Sequence, residues 1–108
     1  MQTLKPTEID LAGGKHVEEW LRENGFINVT HSSVNDSTNF IEANGTIENI
    51  LVFVCSIVNP ATHEKLDEAE RGKLRGAAES MGRKAYLAYV TLNEDRSLAT
   101  DINWQRIS

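Results

Sequence analysis

The side chains able to do chemistry are few and scattered. Cys55 is the one cysteine, and His16, His31 and His63 are the three histidines. A thiolate next to an imidazole would be a nucleophile, so Cys55 with His31 or His63 is the pairing to weigh. Cys55 lies inside an apolar run, however, where a thiol behaves as a small, inert hydrophobe. No histidine stands at metal-ligand spacing from another or from the cysteine, so no zinc site is expected. Gly13-Gly14 opens a helical stretch, but no strand precedes it and no Gly-x-Gly-x-x-Gly or Walker pattern occurs, which argues against a phosphate loop. Arg71, Lys73, Arg75, Arg83 and Lys84 stand against Glu79 alone, a local charge of +4. This cluster is the candidate nucleic-acid-binding face, although such runs are ordinarily solvated helix surface. Trp20 and Trp104 are expected to cover the core rather than to stack on bases.

At 108 residues the chain is expected to form one domain, spanning 1–108. Residues 1–50 carry three basic and eight acidic side chains, a charge of −5; residues 51–108 carry eight of each and are neutral. An acidic protein is a poor general binder of nucleic acid. No apolar run approaches the roughly 20 residues of a membrane span, and the first residues lack the apolar core of a signal peptide. A single cysteine rules out an internal disulfide and fits a reducing cytoplasm. The expected setting is therefore cytoplasmic, with no membrane.

Asn49-Ile-Leu-Val-Phe-Val-Cys-Ser-Ile-Val58 is the most apolar run and is closed by Asn59-Pro60. It reads as a central strand buried on both faces. Before it, Thr7 can cap a helix start, and Val17, Trp20 and Leu21 share one face of a helix from Lys15 to Asn24. Gly13-Gly14 should weaken that helix, and Asn24-Gly25 should end it. Phe26–Thr30 reads as a first strand, 31–38 as a loop or ragged strand end, and Thr38–Ala43 as a second strand. Asn44-Gly45 predicts a two-residue hairpin turn into the central strand. After it, Thr62–Met81 reads as a long helix closed by Gly82, and Ala85–Leu92 as a buried strand. A strand–helix–strand crossover makes this last strand parallel to the central one. Residues 97–108 form either an edge strand or a short helix. The fold class is α/β, a sandwich with a mixed four- to five-stranded sheet flanked by two helices.

This α-β-β-β-α-β order resembles the restriction-endonuclease-like fold of the PD-(D/E)XK nuclease superfamily, over roughly residues 13–92, and most of all its small Holliday-junction-resolvase-like branch. Gly14-Lys-His-Val-Glu18 resembles the first-helix glycine and glutamate of that family. Gly82-Arg-Lys-Ala-Tyr-Leu-Ala-Tyr-Val90 resembles its last-strand segment. Laid over the family pattern, Asn39 stands at the metal-binding aspartate, Phe53 at the glutamate and Cys55 at the lysine. A strand register shifted by one would move each of these to the opposite face.

The resemblance implies a nuclease fold whose catalytic positions, Glu18, Asn39, Phe53 and Cys55, are vestigial. Two carboxylates must hold a divalent ion and a lysine must activate water; phenylalanine and cysteine do neither. The expected function is a catalytically inactive binding or assembly module with no cofactor, acting on an unidentified protein partner or by self-association as a homodimer. One alternative is a Mg²⁺-dependent DNA nuclease with a rearranged site drawn from Asp36, Glu42, Glu48 and Lys65 or Lys73. Another is a non-cleaving nucleic-acid-binding domain using the basic cluster.

Overall fold

A computed structural model of the chain describes residues 5–34 and 37–107. The elements run α1 (Pro6–Glu23), β1 (Ile27–Val34), β2 (Ser37–Asn44), β3 (Asn49–Val58), α2 (Glu68–Ser80), β4 (Lys84–Leu92) and β5 (Asn103–Arg106). They form an α/β fold with a five-stranded mixed sheet in the order β1-β2-β3-β4-β5. Only β3 and β4 are parallel, as the crossover through α2 requires. No helix among the described residues is long and apolar enough to cross a membrane.

Strand alternation divides the core between two faces. Ile50, Val52 and Val54 of β3 join Ile41, Ala43, Ala88, Val90 and the α1 residues Val17 and Leu21 on one face. Leu51, Phe53 and Cys55 join Phe40, Leu87, Tyr89 and the α2 residues Leu74 and Ala78 on the other. The helices therefore cover opposite faces. β3 is buried on both faces only from Ile50 to Val54, and its C-terminal half is partly open.

α1 begins one residue ahead of Thr7, because Pro6 takes the first turn with its preset φ. It runs unbroken through Gly13 and Gly14, which are buried. A Cβ on Gly13 would land on the Ser56 hydroxyl and 2.8 Å from the Ser56 Cβ, so the glycine lets the helix lie on β3. Gly25 (φ +88°) and Gly82 (φ +68°) end the two helices in the left-handed region, as their positions predict.

Two further expectations are corrected, at the β2–β3 connection and at the start of α2, and two open alternatives are decided. β1 continues to Val34 and pairs with β2 as far as Ser37, which decides 31–34 as strand rather than loop; Asn28 at φ +54° sits in a register shift that leaves Ile27 65% exposed. The β2–β3 connection has four residues, 45–48, with the Gly45 N–H bonded to the Glu48 carbonyl; a side chain on Gly45 would strike that carbonyl and the Phe26 ring, both at 2.8 Å. α2 starts at Glu68, not Thr62, because the Asp67 carboxylate caps it by accepting from the Glu70 N–H at 2.8 Å. The tail forms a strand, but only over Asn103–Arg106, antiparallel to β4.

Candidate functional site

α1 lies along the sheet with a groove on each flank. On the β1 side, a recess of about 340 Å³ is lined by Thr7, Asp10, Leu11, His31 and Asn39. Two helical turns further on, Glu18 Oε1 lies 2.9 Å from His31 Nδ1 and Glu18 Oε2 lies 3.8 Å from an Arg22 nitrogen. Gly14 makes room for the His31 ring, since a Cβ there would be 3.0 Å from its Nε2. Thus His31, a residue that the family pattern does not include, pairs with Glu18 of α1 and shares a recess with Asn39 of β2.

Phe53 and Cys55 are elsewhere. They point to the α2 face, where the Phe53 ring stacks on Phe40 with centroids 4.9 Å apart. Cys55 is half-buried there; burial first, then the charges of Glu70 and Asp10, push its thiol from 9.0 up to about 11. At neutral pH it is a thiol, neither ligand nor nucleophile. The described contacts of His63 are to the Tyr89 ring, 5.0 Å between centroids, and the Thr91 hydroxyl at 3.3 Å. Desolvation, opposed by a backbone hydrogen bond at Val90, lowers the His63 pKa. His31 is across the sheet from Cys55. The β3 side chains that share a face with Glu18 and Asn39 are Ile50, Val52, Val54 and Ser56; Val54 lies opposite Asn39 in the register and Ser56 beneath Gly13. The Ser56 hydroxyl is buried without a hydrogen-bond partner. The register is therefore one residue out from the one the family comparison assumes.

The remaining carboxylates are committed to other contacts. Glu42 pairs with Arg83 at 3.2 Å on the α2 face. Glu48 accepts from the Tyr86 hydroxyl at 2.5 Å and pairs with Arg106 at 3.2 Å on the α1 face, tying β5 to the β2–β3 connection. The two do not converge on a common ion, Lys65 and Lys73 are exposed away from both, and Asp36 lies outside the described residues. Among the described residues, no group of three or more histidine, cysteine or acidic side chains is arranged to hold a metal.

The five basic residues do not make one face. Arg83 is only 17% exposed and reaches inward: beyond Glu42, its Nη1 donates to the Ala43 and Ile50 carbonyls and to Asn44 Oδ1 at 3.0–3.2 Å. Arg75 pairs with Glu68 at 2.6 Å and Arg71 donates to the Leu66 carbonyl. The Arg75 hydrogen bond and charge lower the Glu68 pKa. Lys73 sits on α2, whereas Lys84 starts β4 on the α1 side. Sequence reasoning missed the Arg83 anchor, because a buried guanidinium looks in sequence like any surface one. Alternation in 98–104 was the signal for Trp104, but nothing local marked its stacking on Trp20.

Fold and site together define an α/β sandwich with a carboxylate–imidazole pair at one end of the sheet. No protein-family model matches the chain, and no curated protein matches it.

Proposed function

We propose that this chain is a non-catalytic binding or assembly module on a restriction-endonuclease-like fold. The element order, and the placing of Glu18 and Asn39 on either side of His31, support the fold reading. The observation that carries the loss of catalysis is the identity of the two β3 side chains beside them. Val54 and Ser56 cannot supply a second carboxylate or a lysine, whichever register is used. Glu18 itself is bonded to His31 and Arg22. An ion at this place would meet one committed carboxylate and an amide, short of the several oxygen ligands Mg²⁺ or Mn²⁺ needs. The module then acts through its surfaces, on a protein partner or a second copy.

Thermal melts test this. An ion held tenfold below its applied concentration would add about 1.4 kcal/mol to stability, several degrees for a chain this size. The proposal expects no shift with millimolar Mg²⁺ or Mn²⁺. A shift of that size that Glu18→Ala removes would restore a metal site. Binding of DNA at low salt, falling steeply as salt rises and weakened by Lys73→Glu with Lys84→Glu, would favour the nucleic-acid reading instead.

A further inference from the structure

The second groove, on the β5 flank of α1, holds the two tryptophans. Trp20 and Trp104 lie with ring centroids 4.7 Å apart, inclined at 45°. Trp20 keeps 36% and Leu98 37% of their surface exposed. They border an open groove of about 520 Å³ whose rim carries Glu19, Glu23 and Asp101. All three acidic residues are exposed, and none forms an ion pair among the described residues. Two other carboxylates of the same helix are matched: Glu8 to Arg96, and Glu18 to His31 and Arg22. An exposed aromatic floor thus meets unneutralised negative charge.

That combination selects its ligand by chemistry. An indole face attracts an ammonium or guanidinium through its quadrupole, and the aliphatic stem of lysine or arginine packs on the ring while the head stays among the carboxylates. A neutral apolar guest would crowd three carboxylates without pairing them, and an acidic one would be repelled. Glu19 and Glu23 are one helical turn apart, about 6 Å, with Asp101 facing them from the segment before β5. This spacing suits a chain segment carrying more than one cation. We propose that the Trp20–Trp104 groove docks a lysine- or arginine-bearing segment of a partner protein. The assignment does not depend on the nuclease-like reading, because it uses the opposite flank of α1.

These are the chain's only two tryptophans, so intrinsic emission reports on this groove directly. Terminally blocked lysine-rich and arginine-rich hexapeptides should produce a saturable emission change at low ionic strength, while a glutamate-rich one should not. The combined Glu19→Gln, Glu23→Gln, Asp101→Asn variant keeps both indoles and should bind at least roughly tenfold more weakly, as should Trp20→Ala. Neutralising Glu64 and Glu94, which lie outside the groove, should leave affinity unchanged. The proposal is overturned by the absence of a saturable change, or by equal weakening in the groove and control variants, which would show diffuse attraction to an acidic protein. A concentration-dependent dimer dissolved by Trp20→Ala, with no peptide effect, would assign the groove to a second copy and overturn it too.

Discussion

Gly13→Ala should destabilise the protein, although the same change in a free helix stabilises it. An alanine in a helix interior is favoured over glycine by about 1 kcal/mol. Here the added methyl would fall on the Ser56 hydroxyl and 2.8 Å from the Ser56 Cβ, with the Val54 Cγ1 at 3.7 Å. The hydroxyl can rotate, but the Cβ is fixed to β3. Reaching ordinary contact then requires α1 to lift by roughly half an ångström, and it carries Val17 and Leu21, both fully buried, with it. Overpacking of this kind costs about 1–3 kcal/mol, so the net loss should be about 1–2 kcal/mol, read as a lower midpoint in urea unfolding. Gly76→Ala is the control, since nothing lies within 4 Å of the new methyl; it should gain up to about 1 kcal/mol. Adding Ser56→Gly to Gly13→Ala leaves only the ordinary Val54 contact. The double-mutant cycle should therefore show a favourable coupling of at least about 1 kcal/mol. A stabilising Gly13→Ala, or a coupling near zero, would refute the close packing of α1 on β3.

Arg83→Met should cost about 2–4 kcal/mol, because it leaves Glu42 and three further acceptors without their partner. Arg83→Lys should recover less than half, lacking the fork that reaches them all, whereas Arg75→Ala on the surface should cost under about 0.5 kcal/mol; similar losses at 83 and 75 would contradict the buried role. Alkali should weaken the fold. The Cys55 thiol titrates at about 11 in the fold against 9.0 outside it, so its contribution is complete below pH 9 and lost as pH rises through about 11. Allowing for partial solvent access, the loss is about 1–2 kcal/mol, and Cys55→Ala should flatten this limb of a urea-midpoint profile. Tyr86, raised by burial and by its bond to Glu48, would add a residual alkaline loss that the cysteine variant keeps.

The features legible in the sequence were those set by one stretch at a time. The run 49–58 was long, β-branched and closed by Asn59-Pro60, and it is the middle strand. The 20-odd residues between it and Ala85–Leu92 left room for a crossover helix, and the two strands are parallel. Gly25 and Gly82 marked helix ends because both adopt positive φ. What was not legible depended on partners. The polar residues of 31–34 could not decide between loop and strand end, and backbone pairing with β2 carries β1 through them. Thr62–Asp67 has helical composition, but the Asp67 cap sets the start. The register between β2 and β3 decided which side chains share a face with Asn39. It sets Phe40 opposite Phe53, which puts the even-numbered β3 side chains on the Asn39 face; a two-residue Asn44-Gly45 turn would have kept the same parity. Of the candidate residues, Glu18 pairs with His31, which shares a recess with Asn39, while Phe53 and Cys55 lie on the opposite face of the sheet.

The most direct measurement is DNA cleavage. Single-stranded, duplex and four-way-branched DNA would be incubated with the protein and Mg²⁺ or Mn²⁺, alongside Glu18→Ala and Asp36→Ala. A non-catalytic module predicts intact DNA in every lane, indistinguishable from the variants. Metal-dependent cleavage that is abolished by either substitution would contradict it and establish a working nuclease site in this fold.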